Sequence, residues 1–200
     1  MFPEIDRVLI DGPRIAARVR ELGAQVSADL QADCKRTGSD EIVLVPILTG
    51  AVVFVADLIR QLPLKLRLGV VAVSSYPGRT MQSKGAAIRS EIPPDLGGKH
   101  VLIVDDILDS GRTLGLVRRL IAGQTPSPAS VRICVLLRKA LSAPRSEEVH
   151  ADYVGFDIPD EFVVGYGLDF DGYYRNYPQI AILKPESAVK PGPLAPTHIR

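Results

Sequence analysis

The sequence predicts an α/β fold, a doubly wound and mostly parallel sheet with helices on both faces. Short, nearly unbroken apolar runs at 42–48 (IVLVPIL), 101–104 (VLIV) and 131–137 (VRICVLL) read as strands covered on both faces. Helical patterns at 11–30, 51–62 and 112–122 precede or separate them, so strand-helix-strand units repeat with short joints, the grammar of parallel crossovers. The third observation is size: 200 residues, 46% hydrophobic and 24% charged, suit one globular domain with a full core.

In chain order, Ile15, Val19, Leu22, Val26 and Leu30 mark one face of a first helix that starts after Asp11 or Gly12. The period then changes at 42–48, where Pro46 predicts an irregular strand end. Thr49-Gly50 breaks the run, 51–62 reads as a second helix, and 66–74 alternates as a second strand. A buried strand is expected from His100 to Asp105, a helix over 112–122 and a further strand over 131–137. One or two strands are expected within 149–166 and a last short one in 179–183. Four prolines, Pro185, Pro191, Pro193 and Pro196, predict a disordered tail over 185–200, which leaves 1–184 as the single domain.

Composition excludes several classes. With 24 Lys+Arg against 23 Asp+Glu the net charge is +1, unlike the basic excess of a sequence-independent nucleic-acid binder. The opening MFPEIDRVLIDGPR mixes acids and bases and does not read as a secretory leader. The longest uncharged stretch, 42–56, is 15 residues broken by Pro46 and Gly50, against roughly 20 apolar residues for a membrane span. Cys34 and Cys134 form no C-x-x-C and read as reduced thiols, so a cytoplasmic protein without membrane contact is expected.

Open α/β sheets bind ligands beyond the carboxyl ends of their strands, which directs attention to 48–51, 74–85, 105–113 and 138–139. The most informative of these is VLIVDDILDSGRTL, 101–114. An apolar strand ends in Asp105 and Asp106, and Asp109-Ser110-Gly111-Arg112-Thr113 opens a helix. Backbone N–H groups at a helix start, with Gly allowing close approach and hydroxyls adding donors, cradle a phosphate dianion. The neighbouring carboxylates suit sugar hydroxyls or Mg²⁺. The bland alternative is a solvated turn in which Asp109 only caps the helix.

In that order, the segment resembles the phosphoribosyl-pyrophosphate signature of the type I phosphoribosyltransferases. ILTGAVVFVADL, SSYPG, GGKHVLIVDDILDSGRTL and YVGFDIPDEFVVGYGLDFDGYYRNYP together are similar to hypoxanthine-guanine phosphoribosyltransferases, in order from about 8 to 183. The resemblance implies the type I fold, with a small hood formed by the N-terminal segment and about 150–184. It implies purine salvage: Mg²⁺-dependent transfer of 5-phosphoribose from phosphoribosyl pyrophosphate to N9 of a 6-oxopurine, hypoxanthine or guanine, by a homodimer or homotetramer.

Residue roles follow from the same resemblance. Asp105 and Asp106 would bind the ribose hydroxyls, and 109–113 (Asp109, Ser110, Gly111, Arg112, Thr113) the 5′-phosphate. Asp109 would be the catalytic base for the purine N7 proton. Lys139 would donate to the 6-oxygen, although adjacent Arg138 leaves the register open by one; two extra residues lie between Lys139 and Phe156. Phe162 would stack on the base and Val163 offer its backbone. Asp169 would lie near the base and a second Mg²⁺, giving Asp105, Asp106 and Asp169 as metal candidates. Arg175 would contact pyrophosphate, as would the backbone of Thr49 and Gly50 through a cis peptide; the family usually carries Lys before that Gly. Ser75 and Tyr76 would start a mobile loop over the reacting centre.

Other readings concern the same segments. Six of eleven aromatics, Phe162, Tyr166, Phe170, Tyr173, Tyr174 and Tyr177, fall within 162–177, and all but Phe162 are expected in the core. DFDG at 169–172 begins like a calcium loop but lacks the later ligands. Between 58 and 90 stand Arg60, Lys65, Arg67, Arg79, Lys84 and Arg89 with no acid, a stretch that suits an anionic small ligand such as pyrophosphate. The same stretch would support an RNA-binding regulator on this fold, similar to the pyrimidine attenuation proteins. A phosphatase with Asp105 as nucleophile is the other rival.

Overall fold

The computed structural model describes residues 2–74, 87–88, 91–185 and 187. Its main sheet runs in the order β5-β4-β2-β6-β7-β8, formed by Ala87–Ile88, Val71–Ser74, Ile42–Leu48, His100–Leu108, Ser130–Ala140 and Tyr153–Pro159; β3 (Leu66–Leu68) also pairs with β2. Every pairing is parallel except β4 with β5. A second, antiparallel sheet β1-β10-β9 (Ile5–Ile10, Ile180–Leu183, Val163–Val164) forms the hood. β8 falls in the 150–184 span assigned to the hood, yet it extends the main sheet beside β7.

The apolar strands divide their side chains between two cores, as residues of period two must when both faces are covered. Ile42, Leu44, Leu102, Val104, Cys134 and Leu136 join α1 (Gly12–Thr37) and α2 (Val52–Leu58) on one face. Val43, Val45, Val101, Ile103, Ile133 and Val135 meet α3 (Arg112–Ala122) on the other. Each such buried aliphatic side chain contributes about 2 kcal/mol, so the fold is driven by these two layers. No helix among the described residues is long and apolar enough to cross a membrane.

The five expected residues of α1 are its buried face, Asp11 caps it by accepting from the Arg14 N–H at 2.9 Å, and Gly38 ends it at φ +74°. It outruns the predicted 11–30 because the next buried position is Asp33, whose carboxylate pairs with Arg36 at 3.0 Å and Arg132 at 2.8 Å. The single strand expected over 66–74 is two. Gly69 separates them: its N–H donates to the Leu44 carbonyl, and a Cβ there would lie 2.7 Å from the Pro93 ring. β1 was not expected as a strand at all; Asp6 and Arg7 mask its apolar pattern. Of the tail, 186 and 188–200 lie outside the described residues.

Candidate active site

The carboxyl ends of β2, β4, β6 and β7 open onto a cavity of about 560 Å³. Its lining brings together Thr49 and Gly50, Asp105 and Asp106, Asp109 to Gly111 with Thr113, Lys139, and Phe162, Val163, Asp169 and Arg175. Arg112, the first residue of α3, is not part of the lining, and Ser75 and Tyr76 lie outside the described residues.

The acid pair sits inside β6, which runs to Leu108 rather than stopping at Asp105 because its ladder with β7 continues to Arg138. Asp105 is buried, and its Oδ1 accepts from the Asp106 N–H at 3.0 Å. Burial pushes the Asp105 carboxyl well above the usual carboxylate range, and the charge of Asp106 adds to the rise. Burial also raises Asp106. The pair therefore favours whatever supplies hydroxyl donors or positive charge. Gly50 backs onto it: a Cβ there would lie 2.7 Å from Asp106 Cγ and nearer still to Oδ2. The Leu48–Thr49 peptide just before is cis.

Past the strand, Gly111 rather than Asp109 is the N-cap of α3, at φ +82°, and no side chain accepts there. The capping role is therefore not what Asp109 does in this structure. With no side-chain cap at Gly111, the start of α3 turns its backbone dipole toward the cavity, a setting that suits an anion. Gly111 is required twice over, by its positive φ and by the Glu147 carbonyl carbon, 3.1 Å from where a Cβ would stand. Glu147 in turn donates its N–H to the Ser110 carbonyl at 3.1 Å, fixing the turn from outside.

At the end of β7, alternation sends Arg138 and Lys139 to opposite faces. Arg138 grips Asp157 of β8 through Nε at 2.6 Å and its terminal nitrogen at 3.0 Å, and this guanidinium holds the Asp157 carboxyl below the usual range. Lys139 lines the cavity, with Nζ 3.3 Å from Asp109 Oδ2 and 3.3 Å from Asp160 Oδ1. Of the two neighbours, Lys139 and not Arg138 is the one in the cavity lining.

The hood supplies the remaining wall. Phe162 is half exposed, and its ring stands edge-on to Phe170 at 5.6 Å. Arg175 pairs with Asp169 at 2.7 Å and donates to the Gly167 carbonyl at 2.6 Å, while Asp169 also accepts from the Gly172 N–H. Gly167, at φ +104°, lets this segment press against the Gly50 carbonyl without a side chain between them. The Tyr166 hydroxyl donates to Asp57 of α2 at 2.6 Å and latches the same segment from behind. Of the aromatics expected in the core only Tyr166 is buried; Phe170, Tyr174 and Tyr177 are half-buried, the last two against Phe2, and Tyr173 is 70% exposed. Among the described residues no three of His, Cys, Asp and Glu gather as a metal-holding group, so Asp169 does not join Asp105 and Asp106 in one cluster.

A family model described as the phosphoribosyl transferase domain matches residues 9–171. The chain belongs to the phosphoribosyl transferase family. It is 42% identical over 188 residues to the hypoxanthine-guanine phosphoribosyltransferase of Mycobacterium avium, covering 92% of this chain and 89% of that one. A hypoxanthine phosphoribosyltransferase structure from Staphylococcus aureus superposes with a TM-score of 0.79 at 38% identity, covering 92% and 94% of the two chains. The Trypanosoma cruzi hypoxanthine phosphoribosyltransferase, solved with the product IMP, gives 0.79 at 33% identity over 93% and 98%.

In this phosphoribosyltransferase the basic stretch at 58–90 does not serve the cavity through its described members. Arg60 is paired with Asp57, and neither Arg60, Lys65 nor Arg67 lines the cavity; Arg67 lines a separate depression with Pro93 and Pro94. Arg79, Lys84 and Arg89 lie outside the described residues. Sequence reasoning missed Asp160, because its link to Lys139 crosses from one strand end to the next and leaves no spacing to read.

Proposed function

We propose that this phosphoribosyltransferase transfers 5-phosphoribose from phosphoribosyl pyrophosphate to N9 of hypoxanthine or guanine, releasing pyrophosphate and forming IMP or GMP in purine salvage. The observation that carries the reading is the meeting, in one cavity, of an acid pair with Asp105 buried, the glycine-led turn into α3 and an ammonium in a wall that also holds a half-exposed aromatic ring. Each element suits one part of the two substrates.

The first N–H groups of α3 and the hydroxyls of Ser110 and Thr113 hold the 5′-phosphate. Asp105 and Asp106 accept from the ribose 2′- and 3′-hydroxyls, which relieves two carboxylates whose burial favours a donor. The backbone of Thr49 and Gly50 and the guanidinium of Arg175 receive the pyrophosphate; the side-chain lysine usual before Gly50 is replaced here by Thr49. Phe162 stacks on the purine, Val163 meets its edge through the backbone, and Lys139 donates to the 6-oxygen. A donor at that place rejects a 6-amino group, itself a donor. Positive charge develops on the ribose in a loose transition state, and Asp109 takes the N7 proton as N9 bonds to C1′.

The donor set at β6 fits Mg²⁺. Mg²⁺ is commonly held by one or two carboxylates together with substrate oxygens and water, and the pair here has unmet demand for positive charge. Asp105 and Asp106 would hold one ion and Asp169 a second, and the bound metal supplies charge neutralisation on the departing pyrophosphate. Action in the cytoplasm as a homodimer or homotetramer completes the proposal; light scattering on a sizing column reads the assembly.

The test is nucleotide formation from hypoxanthine, guanine, xanthine, adenine and uracil with phosphoribosyl pyrophosphate and Mg²⁺. Product from hypoxanthine and guanine but not adenine is expected; product from uracil alone overturns the purine reading.

A further inference from the structure

We propose that Asp160 is a positioning residue for Lys139, a fixed counter-ion that keeps the ammonium in place while Asp109 changes its charge. The inference rests on the roles given above to Lys139 and Asp109. Its geometry is simple: Lys139 Nζ lies between two carboxylates, at 3.3 Å from Asp109 and 3.3 Å from Asp160, with its side chain only 12% exposed. An ammonium so poorly hydrated needs a partner throughout the reaction.

Asp109 cannot be that partner at every stage. When it accepts the N7 proton its charge is gone, and its half of the attraction on Lys139 goes with it. Asp160 touches neither the base nor the ribose in this scheme, so the proton transfer does not fall on it. Its seat is rigid. Pro159 ends β8 opposite Ala140, the residue after Lys139, so sheet register sets the separation of the two side chains. The turn that follows is closed by the Glu161 N–H on the Pro159 carbonyl at 2.8 Å, and Arg7 of the hood clasps the Glu161 carboxylate at 2.7 and 2.8 Å. Phe162 is the next residue. One clamped turn therefore places both the ring that stacks on the base and the carboxylate that holds the base's hydrogen-bond donor.

Steady-state kinetics on Asp160→Asn, Asp160→Glu and Lys139→Met, with KM measured separately for hypoxanthine and phosphoribosyl pyrophosphate, test this. Asp160→Asn is expected to raise KM for hypoxanthine about fivefold, the upper range for a half-exposed ion pair, and to leave KM for phosphoribosyl pyrophosphate unchanged. Asp160→Glu should restore most of the loss. An unchanged KM for hypoxanthine, or equal rises for both substrates, overturns the proposal. Lys139→Met separates the two levels: if it does not raise KM for hypoxanthine, the reading of Lys139 itself fails, and if it does while Asp160→Asn has no effect, only the positioning role fails.

Discussion

Replacing Gly50 by Ala probes the cavity at its tightest point. The added methyl would stand 2.7 Å from Asp106 Cγ, where ordinary contact begins at 3.4 Å, and closer to Oδ2. One of the two groups must retreat by roughly 1 Å, a displacement that typically costs about 100-fold when it affects a group that orients a reacting substrate. The Gly50 side cannot give easily, because its carbonyl already bears against Gly167. Asp106 is the group that moves, rotating its short side chain off the buried strand β6. We expect kcat/KM for phosphoribosyl pyrophosphate to fall about 100-fold, with a stability loss of about 1–3 kcal/mol from the overpacking alone. Pyrophosphate release gives the rate and a thermal melt gives the stability. The decisive comparison is a double-mutant cycle with Asp106→Ala. If the damage passes through Asp106, Gly50→Ala adds little once that carboxylate is gone. Fully additive losses, or near-normal activity in a folded Gly50→Ala enzyme, would refute the reasoning.

Asp109→Asn should lower kcat far more than it weakens phosphoribosyl-pyrophosphate binding, because it removes a proton acceptor needed only in the transition state; equal losses by kinetics and direct titration would sink its role as base. Asp33 should make stability fall in acid: burial opposes its ionisation, but the Arg36 and Arg132 guanidiniums outweigh that and hold the carboxyl below 3.8. Its contribution, about 2 kcal/mol for charge-assisted hydrogen bonds, is then present above its unfolded pKa and lost as pH falls through the lower folded value. The Tm gap between wild type and Asp33→Asn should close between about pH 4 and lower values, and a gap of constant size would count against it. Removing divalent cations with a chelator should abolish binding of phosphoribosyl pyrophosphate in calorimetry while largely sparing IMP, whose phosphate needs only the start of α3; parallel loss of both would contradict that division.

What could be read from the sequence was what is local along the chain. The five apolar residues of α1 and the three apolar runs each carry their own period, so helix face and strand face followed directly. The turn at 105–113 was legible because acid pair, glycine and helix start are contiguous. Where structure depends on distant partners the pattern fails. Asp33 looks like the end of an apolar stripe until Arg132, 99 residues on, supplies its counter-charge. Gly69 divides a plausible strand only because Pro93 lies against it. Tyr173 shares a window with the buried Tyr166 and yet points to water, since the turn at 169–174 carries it off the hood.

The near-neutral net charge conceals how the charges are shared. Many guanidiniums are committed elsewhere: Arg138 to Asp157, Arg132 to Asp33, Arg60 to Asp57, Arg7 to Glu161. Among the described lining residues the ionisable side chains are Asp105, Asp106, Asp109 and Asp169 against Lys139 and Arg175, and both cations are themselves paired with acids. Side-chain charge in this lining therefore disfavours a ligand carrying several phosphates. On the proposed reading, Arg175 is therefore helped by neutral donors, the backbone at the start of α3 and at Thr49-Gly50, and by cations brought in with the ligand. On that reading, an acidic cavity that takes its anion together with divalent metal would discriminate the metal complex from the free anion. The same excess of carboxylates is what would let Asp109, in the proposed role of base, take a proton once the positive charge has been supplied.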